Sequence, residues 1–271
     1  MFPLKVLLVS DLHYALKQYD WTAEVAADFD LVVVAGDHLD IAGQLDGSVQ
    51  ILVILKYLQR LATRSHLLVS SGNHDLDMRD DAGEKVASWM EQVRRLGIPA
   101  DGESITIDGT LVTICPWWDG PRSRDAVHRQ IERDAAKPKE RWIWVYHAPP
   151  DGSPTGWSGK RHYGDRELVE WIEAYGPDIV FTGHVHEAPF RDGGSWVDQI
   201  GSCWVFNCGQ QIGPVPAHIM IDTQIGEAVW FSLAGAEIVD LDQPLVRPIA
   251  ALSERPAWLE RPTRGLDLIR A

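Results

Sequence analysis

The sequence predicts an α/β layered fold, from two observations. Short apolar runs with the look of strands buried on both faces alternate with stretches of helical spacing over most of the chain. Beyond residue 200 the intervening helices disappear and strand-like runs follow one another, so an antiparallel portion is expected after the parallel units. In chain order, the strand-like runs are "KVLLVS" (5–10), "LVVVAG" (31–36), "HLLVSS" (66–71), "LVTIC" (111–115), "WIWVY" (142–146) and "DIVFTG" (178–183). Helical spacing covers 48–64, 83–97, 124–137 and 165–176, with Gly97 and Gly176 where helix stop signals belong. The later runs are "CWVFNC" (203–208), "AHIMID" (217–222) and "EAVWFSL" (227–233). The last two flank "TQIG" and predict a hairpin. From about 236 the chain is rich in proline (Pro244, Pro248, Pro256, Pro262). It reads as an extended tail, anchored by Trp258 on the body or on a partner subunit, with a short helix "RGLDLIR" at its end. The expected division is a domain over 1–235 and a tail over 236–271.

Composition narrows the function. The chain of 271 residues carries 25 Lys and Arg against 39 Asp and Glu, a formal charge of −14. Such a balance argues against nucleic acid or an anionic membrane as a partner, because both select basic surfaces. The three cysteines, Cys115, Cys203 and Cys208, give no disulfide framework and read as small buried apolar residues in a reducing compartment. The opening "MFPLKVLLVS" has no cationic lead, and no run approaches the ~18 apolar residues of a membrane helix, so a cytoplasmic protein is expected.

Chemistry-bearing residues collect at the carboxyl ends of the runs. After "KVLLVS" come Asp11 and His13; after "LVVVA", Gly36-Asp37-His38-Leu39-Asp40; after "HLLVSS", Gly72-Asn73-His74-Asp75. His147 follows "WIWVY", and Gly183-His184-Val185-His186 follows "DIVFT". Ligands of open α/β sheets bind outside the carboxyl ends of strands, so five strands would deliver Asp, His and Asn to one edge. A regular strand would point His184 and His186 to opposite faces; if both serve one site, the backbone must turn, as Gly183 allows.

The motifs D-x-H, GD-x-x-D, GNH-D, an isolated His and GH-x-H, in that order over residues 11–186, resemble those of the calcineurin-like metallophosphoesterases. The resemblance implies a four-layer αββα sandwich, two mixed β-sheets flanked by helices. It implies two divalent or trivalent metal ions: Asp11, His13 and His186 would hold one, Asn73, His147 and His184 the other, and Asp37 would bridge them. It further implies a phosphoric ester hydrolase in which a hydroxide bridging the metals attacks the phosphorus, with His74 assisting the leaving group and Asp40 orienting His74. Imidazole and oxygen donors without thiolate suit Mn, Fe or Zn. Asp75 either supports this set or forms a turn.

Substrate contacts are expected from two loops. "CPWWDGPR" (115–122) offers Trp117 and Trp118 for stacking, and the Gly/Pro-rich 147–165 offers Lys160 and Arg161 for phosphate oxygens. His38 joins them as a neighbour of Asp37, whereas His66, His128, His162 and His218 read as surface or satisfied core residues. Ile41-Ala42 after the second motif and Asp75 after "GNH" differ from the Ser/Thr protein phosphatases of the family, and the short tail differs from its DNA exonucleases. A small or nucleotide-like phosphomonoester or phosphodiester is the expected substrate, and the sequence leaves room for a homo-oligomer. The competing reading is a non-catalytic scaffold with the same fold.

Overall fold

The computed structural model describes residues 4–259. The first sheet begins with β1 (Lys5–Val9), β2 (Leu31–Ala35) and β3 (His66–Ser70), which are parallel. Between them lie α1 (Leu16–Val25) and α2 (Gly47–Ala62). A small hairpin, β4 (Met78–Arg79) with β5 (Lys85–Val86), precedes α3 (Met90–Arg95). The second sheet contains β6 (Ser104–Ile107), β7 (Thr110–Ile114), β8 (Arg141–Val145), β9 (Ile179–Thr182), β10 (Val197–Ile200) and β11 (Cys203–Asn207), with α4 (Pro121–Ala135) and α5 (Arg166–Tyr175) in its connections. The chain then returns to the first sheet as β12 (His218–Asp222), β13 (Glu227–Ser232), β14 (Gly235–Asp240) and β15 (Ala250–Ala251). The sheet orders are β15-β14-β13-β12-β1-β2-β3 and β10-β11-β9-β8-β7-β6.

The period-2 alternation of strands explains the layers. In β1, Leu7 and Val9 face one way, against Tyr19 and Trp21 of α1 and Ile54 and Leu58 of α2. Val6 and Leu8 face the other way, into a core shared with Ile143 and Val145 of β8 and Phe181 of β9. The outer face of the second sheet buries Trp144 and Val180 against Val127 and Ile131 of α4 and Leu168 and Ile172 of α5. The result is the expected αββα sandwich of two mixed sheets. No helix among the described residues is long and apolar enough to cross a membrane.

Three elements differ from expectation. Helix α1 has no side-chain cap and no charge complementing its ends, and its buried face carries Gln18 and Thr22, so its periodicity is weak in sequence. Those polar groups are satisfied inside: Gln18 donates to the Gln211 carbonyl (2.9 Å) and Thr22 to the Gln18 carbonyl (2.8 Å). The helix expected over 83–97 shrinks to α3, because Gly83 adopts a left-handed turn (φ 83°) and Glu84 caps α4 instead. Its carboxylate accepts the N–H groups of Arg122 and Ser123, both at 2.8 Å. The boundary expected at 235 falls inside the sheet, where β14 pairs with β13 from Ser232↔Gly235 to Glu227↔Asp240. The predicted hairpin around "TQIG" is present, with Asp222 opposite Glu227.

Near the end of the described residues Trp258 packs on the first core, its indole N–H donating to Glu227 Oε2 (2.7 Å) and its carbonyl accepting from Lys5 Nζ (3.1 Å). Trp258→Ala should therefore lower stability by about 3 kcal/mol, the lower end for an aromatic at a core edge, read as a fall in denaturant midpoint at unchanged m-value. The short helix expected over 264–270 lies outside the described residues.

His218 is a satisfied-core candidate that proves half satisfied. Its Nδ1 donates to the Pro216 carbonyl (2.9 Å), Nε2 is buried without a partner, and the ring packs between Trp21 and Phe231. Burial pushes its pKa from 6.5 down to about 4. Below about pH 6.5 the unfolded chain takes up a proton that the folded chain refuses until about pH 4. This site thus costs stability on acidification through that window, by up to about 1.4 kcal/mol per pH unit. His218→Phe should flatten that part of the pH dependence in melting experiments between pH 7 and pH 5.

Candidate metal centre

The loops that leave β1, β2 and β9 turn sharply at residues other than glycine. Asp11 (φ 54°), His13 (φ 41°), Asp37 (φ 53°) and His184 (φ 68°) all occupy the left-handed region, which costs an L residue free energy and persists only where the surroundings enforce it. The enforcement is visible in backbone bonds between the first two loops: His13 N–H to the Asp37 carbonyl (2.9 Å) and Tyr14 N–H to the His38 carbonyl (2.8 Å). The turn within "GHVH" therefore lies at His184, and not at Gly183 as expected. Gly183 is needed for space, because a Cβ there would strike the Asp11 carboxylate and Ser10. Likewise a Cβ on Gly72 would strike Asp37 and His147.

The two sheets meet at this edge. His147 Nδ1, after β8, donates to the carbonyl of Ala35 at the end of β2 (2.7 Å), and His184 N–H donates to Asp11 Oδ1 (2.9 Å). Two overlapping sets of donors result. Asp11, His13, Asp37 and His186 bring one ligand atom each within 4.8 Å of one another, as do Asp37, His147 and His184. Asp37 belongs to both sets. Asn73 sits beside the second, its Oδ1 2.7 Å from His184 Nδ1.

The electrostatics fit cations. Asp11 Oδ2 and His147 Nε2 are buried without hydrogen-bond partners. His147 Nε2 lies 3.3 Å from Asp37 Oδ2 and 3.9 Å from Asp11 Oδ1, and the Nε2 atoms of His13 and His186 face each other at 2.9 Å. Burial would raise the Asp11 pKa, but the His186 hydrogen bond and the His147 charge outweigh it and bring it to about 2. For His147, burial opposes charge, yet Asp37 beside it raises the pKa to about 10; at His184 burial wins and lowers it to about 4. Donor atoms converging from two carboxylates and four imidazoles, two of them without a hydrogen-bond partner, suit metal ions, whose entry would displace protons and so strengthen as pH rises.

The remaining candidates divide. His74 Nε2 lies 4.0 Å from Asp37 Oδ2, its backbone N–H donates to Asp37 Oδ1 (2.9 Å), and its Nδ1 is buried without a partner. Asp40 does not pair with it: Asp40 Oδ1 accepts the Ala42 N–H (2.9 Å), an Asx turn that fixes its own loop. His38 is no pocket residue. It is fully buried, with Nδ1 bonded to Tyr19 Oη (2.9 Å) and Nε2 to the Ser70 carbonyl (3.0 Å). Asp75 is buried and accepts the N–H groups of His38, Leu39 and Gly72, tying the second loop to the third. Lys160 and Arg161 stay exposed outside the cavity beside the centre; the Arg161 guanidinium covers the Tyr163 ring at 4.2 Å.

Trp117 and Trp118 line that cavity, of about 420 Å³, together with His147, His184, Tyr146 and Tyr163. Asp165, Arg166 and Glu167 complete its rim. Sequence reading missed these five residues beyond the tryptophans and histidines, although Tyr163 and Asp165 end the long loop it singled out.

The model of the calcineurin-like phosphoesterases matches residues 4–188, and the chain belongs to that family. UPF0046 protein K07C11.7 of Caenorhabditis elegans is 26% identical over 199 residues, a match spanning 68% of this chain and 64% of the worm protein, less than two thirds of its length. Among solved structures, TT1561 of Thermus thermophilus is similar with a TM-score of 0.57 at 13% identity, over 89% of this chain and all of that one. Purple acid phosphatase PPD1 of yellow lupin (Lupinus luteus) is similar with a TM-score of 0.55 at 14% identity, over 92% of this chain and 53% of that one. At those identities the likeness is one of fold.

Proposed function

We propose that the protein is a metal-dependent phosphoester hydrolase acting on a small monoester or diester. The observation that carries this reading is the pair of donor sets sharing Asp37, at the joint carboxyl edge of two sheets, in a chain of the phosphoesterase family. Asp11, His13 and His186 would hold one ion, Asn73, His147 and His184 the second, and Asp37 both. Bound Mn, Fe or Zn would acidify water and relieve charge on the phosphoryl oxygens. The chain's own contributions follow from its geometry. Asp37, common to both donor sets, would offset repulsion between two bound cations. The His147–Ala35 bond fixes the tautomer that turns Nε2 toward the centre. His74, half-buried at the mouth, stands free to donate a proton to the departing oxygen.

The three free, buried cysteines support work in a reducing compartment, and we place the protein in the cytoplasm. With every donor position filled, no observation favours the scaffold reading. The test is hydrolysis of p-nitrophenyl phosphate and bis(p-nitrophenyl) phosphate by protein loaded with Mn²⁺, Fe²⁺ or Zn²⁺. Turnover that is abolished by chelation and restored by metal is expected. Rates no greater than those of free metal would overturn the proposal.

A further inference from the structure

The cavity beside the second donor set has a wall that is aromatic and held rigid. Trp117 lines the cavity beside the two histidines, its ring 5.2 Å from that of His184 and 5.7 Å from that of His147, and its backbone N–H donates to Ser71 Oγ (3.0 Å). Trp118 is fixed from behind: its indole N–H reaches Tyr146 Oη (2.6 Å) and Asp165 Oδ2 (3.2 Å). Tyr146 Oη donates to the same carboxylate oxygen, and Asp165 Oδ1 caps α5 through the Glu167 N–H (2.9 Å). The one acid buried at this wall thus spends its acceptors on the wall itself. The cations nearby are also engaged: Arg166 is 82% exposed and pairs with Glu170 (3.3 Å), and Arg161 covers Tyr163. A second anionic group in the cavity would meet Asp165 and Glu167, and the cation beside Glu167, Arg124 (3.6 Å), is itself paired with Asp125 (2.9 Å).

We infer that this cavity receives a flat, uncharged aromatic ring carried by the phosphoester, with Trp117 as the stacking surface and the Tyr146–Asp165 pair positioning Trp118. The inference rests on the hydrolase reading above and adds the substrate class. A rigid aromatic wall selects a ring by its face, and it favours a planar ring over a saturated one of similar volume. An aryl group and a nucleobase share this chemistry.

The test uses phosphonates, whose carbon–phosphorus bond resists hydrolysis, binding to the metal-loaded full chain by calorimetry. Benzylphosphonate should bind about tenfold more tightly than methylphosphonate and clearly more tightly than cyclohexylmethylphosphonate. The 5′-phosphonate analogue of adenosine binding more tightly than benzylphosphonate would assign the cavity to a nucleobase, and the reverse to an aryl group. Trp117→Ala should reduce the benzyl-to-methyl ratio below about threefold, while Trp117→Phe, which keeps a flat ring, should retain most of it. Equal affinities for the benzyl and methyl compounds, or an advantage that survives in Trp117→Ala, would overturn the inference. Should nitrophenyl esters still be hydrolysed in that case, only the aromatic subsite fails. Absence of both hydrolysis and phosphonate binding would remove the hydrolase reading as well.

Discussion

Asp37→Asn should abolish tight binding of both metals and lower kcat/KM by more than about 100-fold, beyond the ~10–100-fold typical of residues that merely orient ligands. Asp37 is the single residue common to both donor sets, is 1% exposed, and has Oδ2 within 3.3 Å of His147 Nε2 and 3.7 Å of His13 Nε2. Asparagine keeps its shape and its acceptor for the His74 N–H but removes the negative charge that two cations would share. His147→Ala, by contrast, removes a donor of one set and should weaken mainly that site. The discriminating measurement is metal content beside melting temperature. Wild type should gain stability on loading, by ~2.7 kcal/mol for each site at a metal concentration 100 times its Kd, and Asp37→Asn should gain almost none while keeping its far-ultraviolet circular dichroism. A variant that still binds two metals would show that Asp37 is not shared.

His74→Asn should retain both metals and lose ~10²–10⁴-fold in rate on esters with poor leaving groups. The ring sits edge-on to His13 at 4.6 Å and its side chain is 24% exposed, so it reaches the mouth of the centre without belonging to either donor set. A proton donor matters least when the departing oxygen is already a weak base. The loss should therefore be small for a nitrophenyl ester and large for an alkyl ester, giving a steeper dependence of kcat/KM on leaving-group pKa in the variant. Asp40→Asn should leave that slope nearly unchanged, because Asp40 accepts from Ala42 and not from His74. Equal slopes for wild type and His74→Asn at full metal occupancy would remove His74 from this role.

What was legible in sequence was whatever the backbone decides. Strands buried on both faces announce themselves as unbroken Val/Leu/Ile runs, and a polar residue directly after such a run lands on the carboxyl edge wherever its side chain turns. Side-chain direction was not legible. His38 and Asp37 are neighbours, yet Asp37 in the left-handed region faces the centre while His38 turns inward to Tyr19 and Ser70. Asp40 shows the same: a motif states which residue stands at a loop, and local hydrogen bonding, here with the Ala42 N–H, decides what it faces. Helix α1 was hidden by a buried face that carries Gln18 and Thr22, whose partners are distant or local carbonyls. Strand β14 was hidden by the prolines that follow it, since "GAEIVD" is too short to outweigh them. The aromatic cavity joins residues about 50 positions apart, Trp118 and Asp165 among them, and no local pattern links them.

The central claim is a centre for two metals built on one shared carboxylate. Its most direct test is the metal content of purified protein after loading with Mn²⁺, Fe²⁺ or Zn²⁺ and removal of excess, measured by elemental analysis against protein concentration. Two ions per wild-type chain, falling to near zero in Asp37→Asn, is the predicted result. A wild-type content of zero, or of one ion that Asp37→Asn leaves in place, would contradict it.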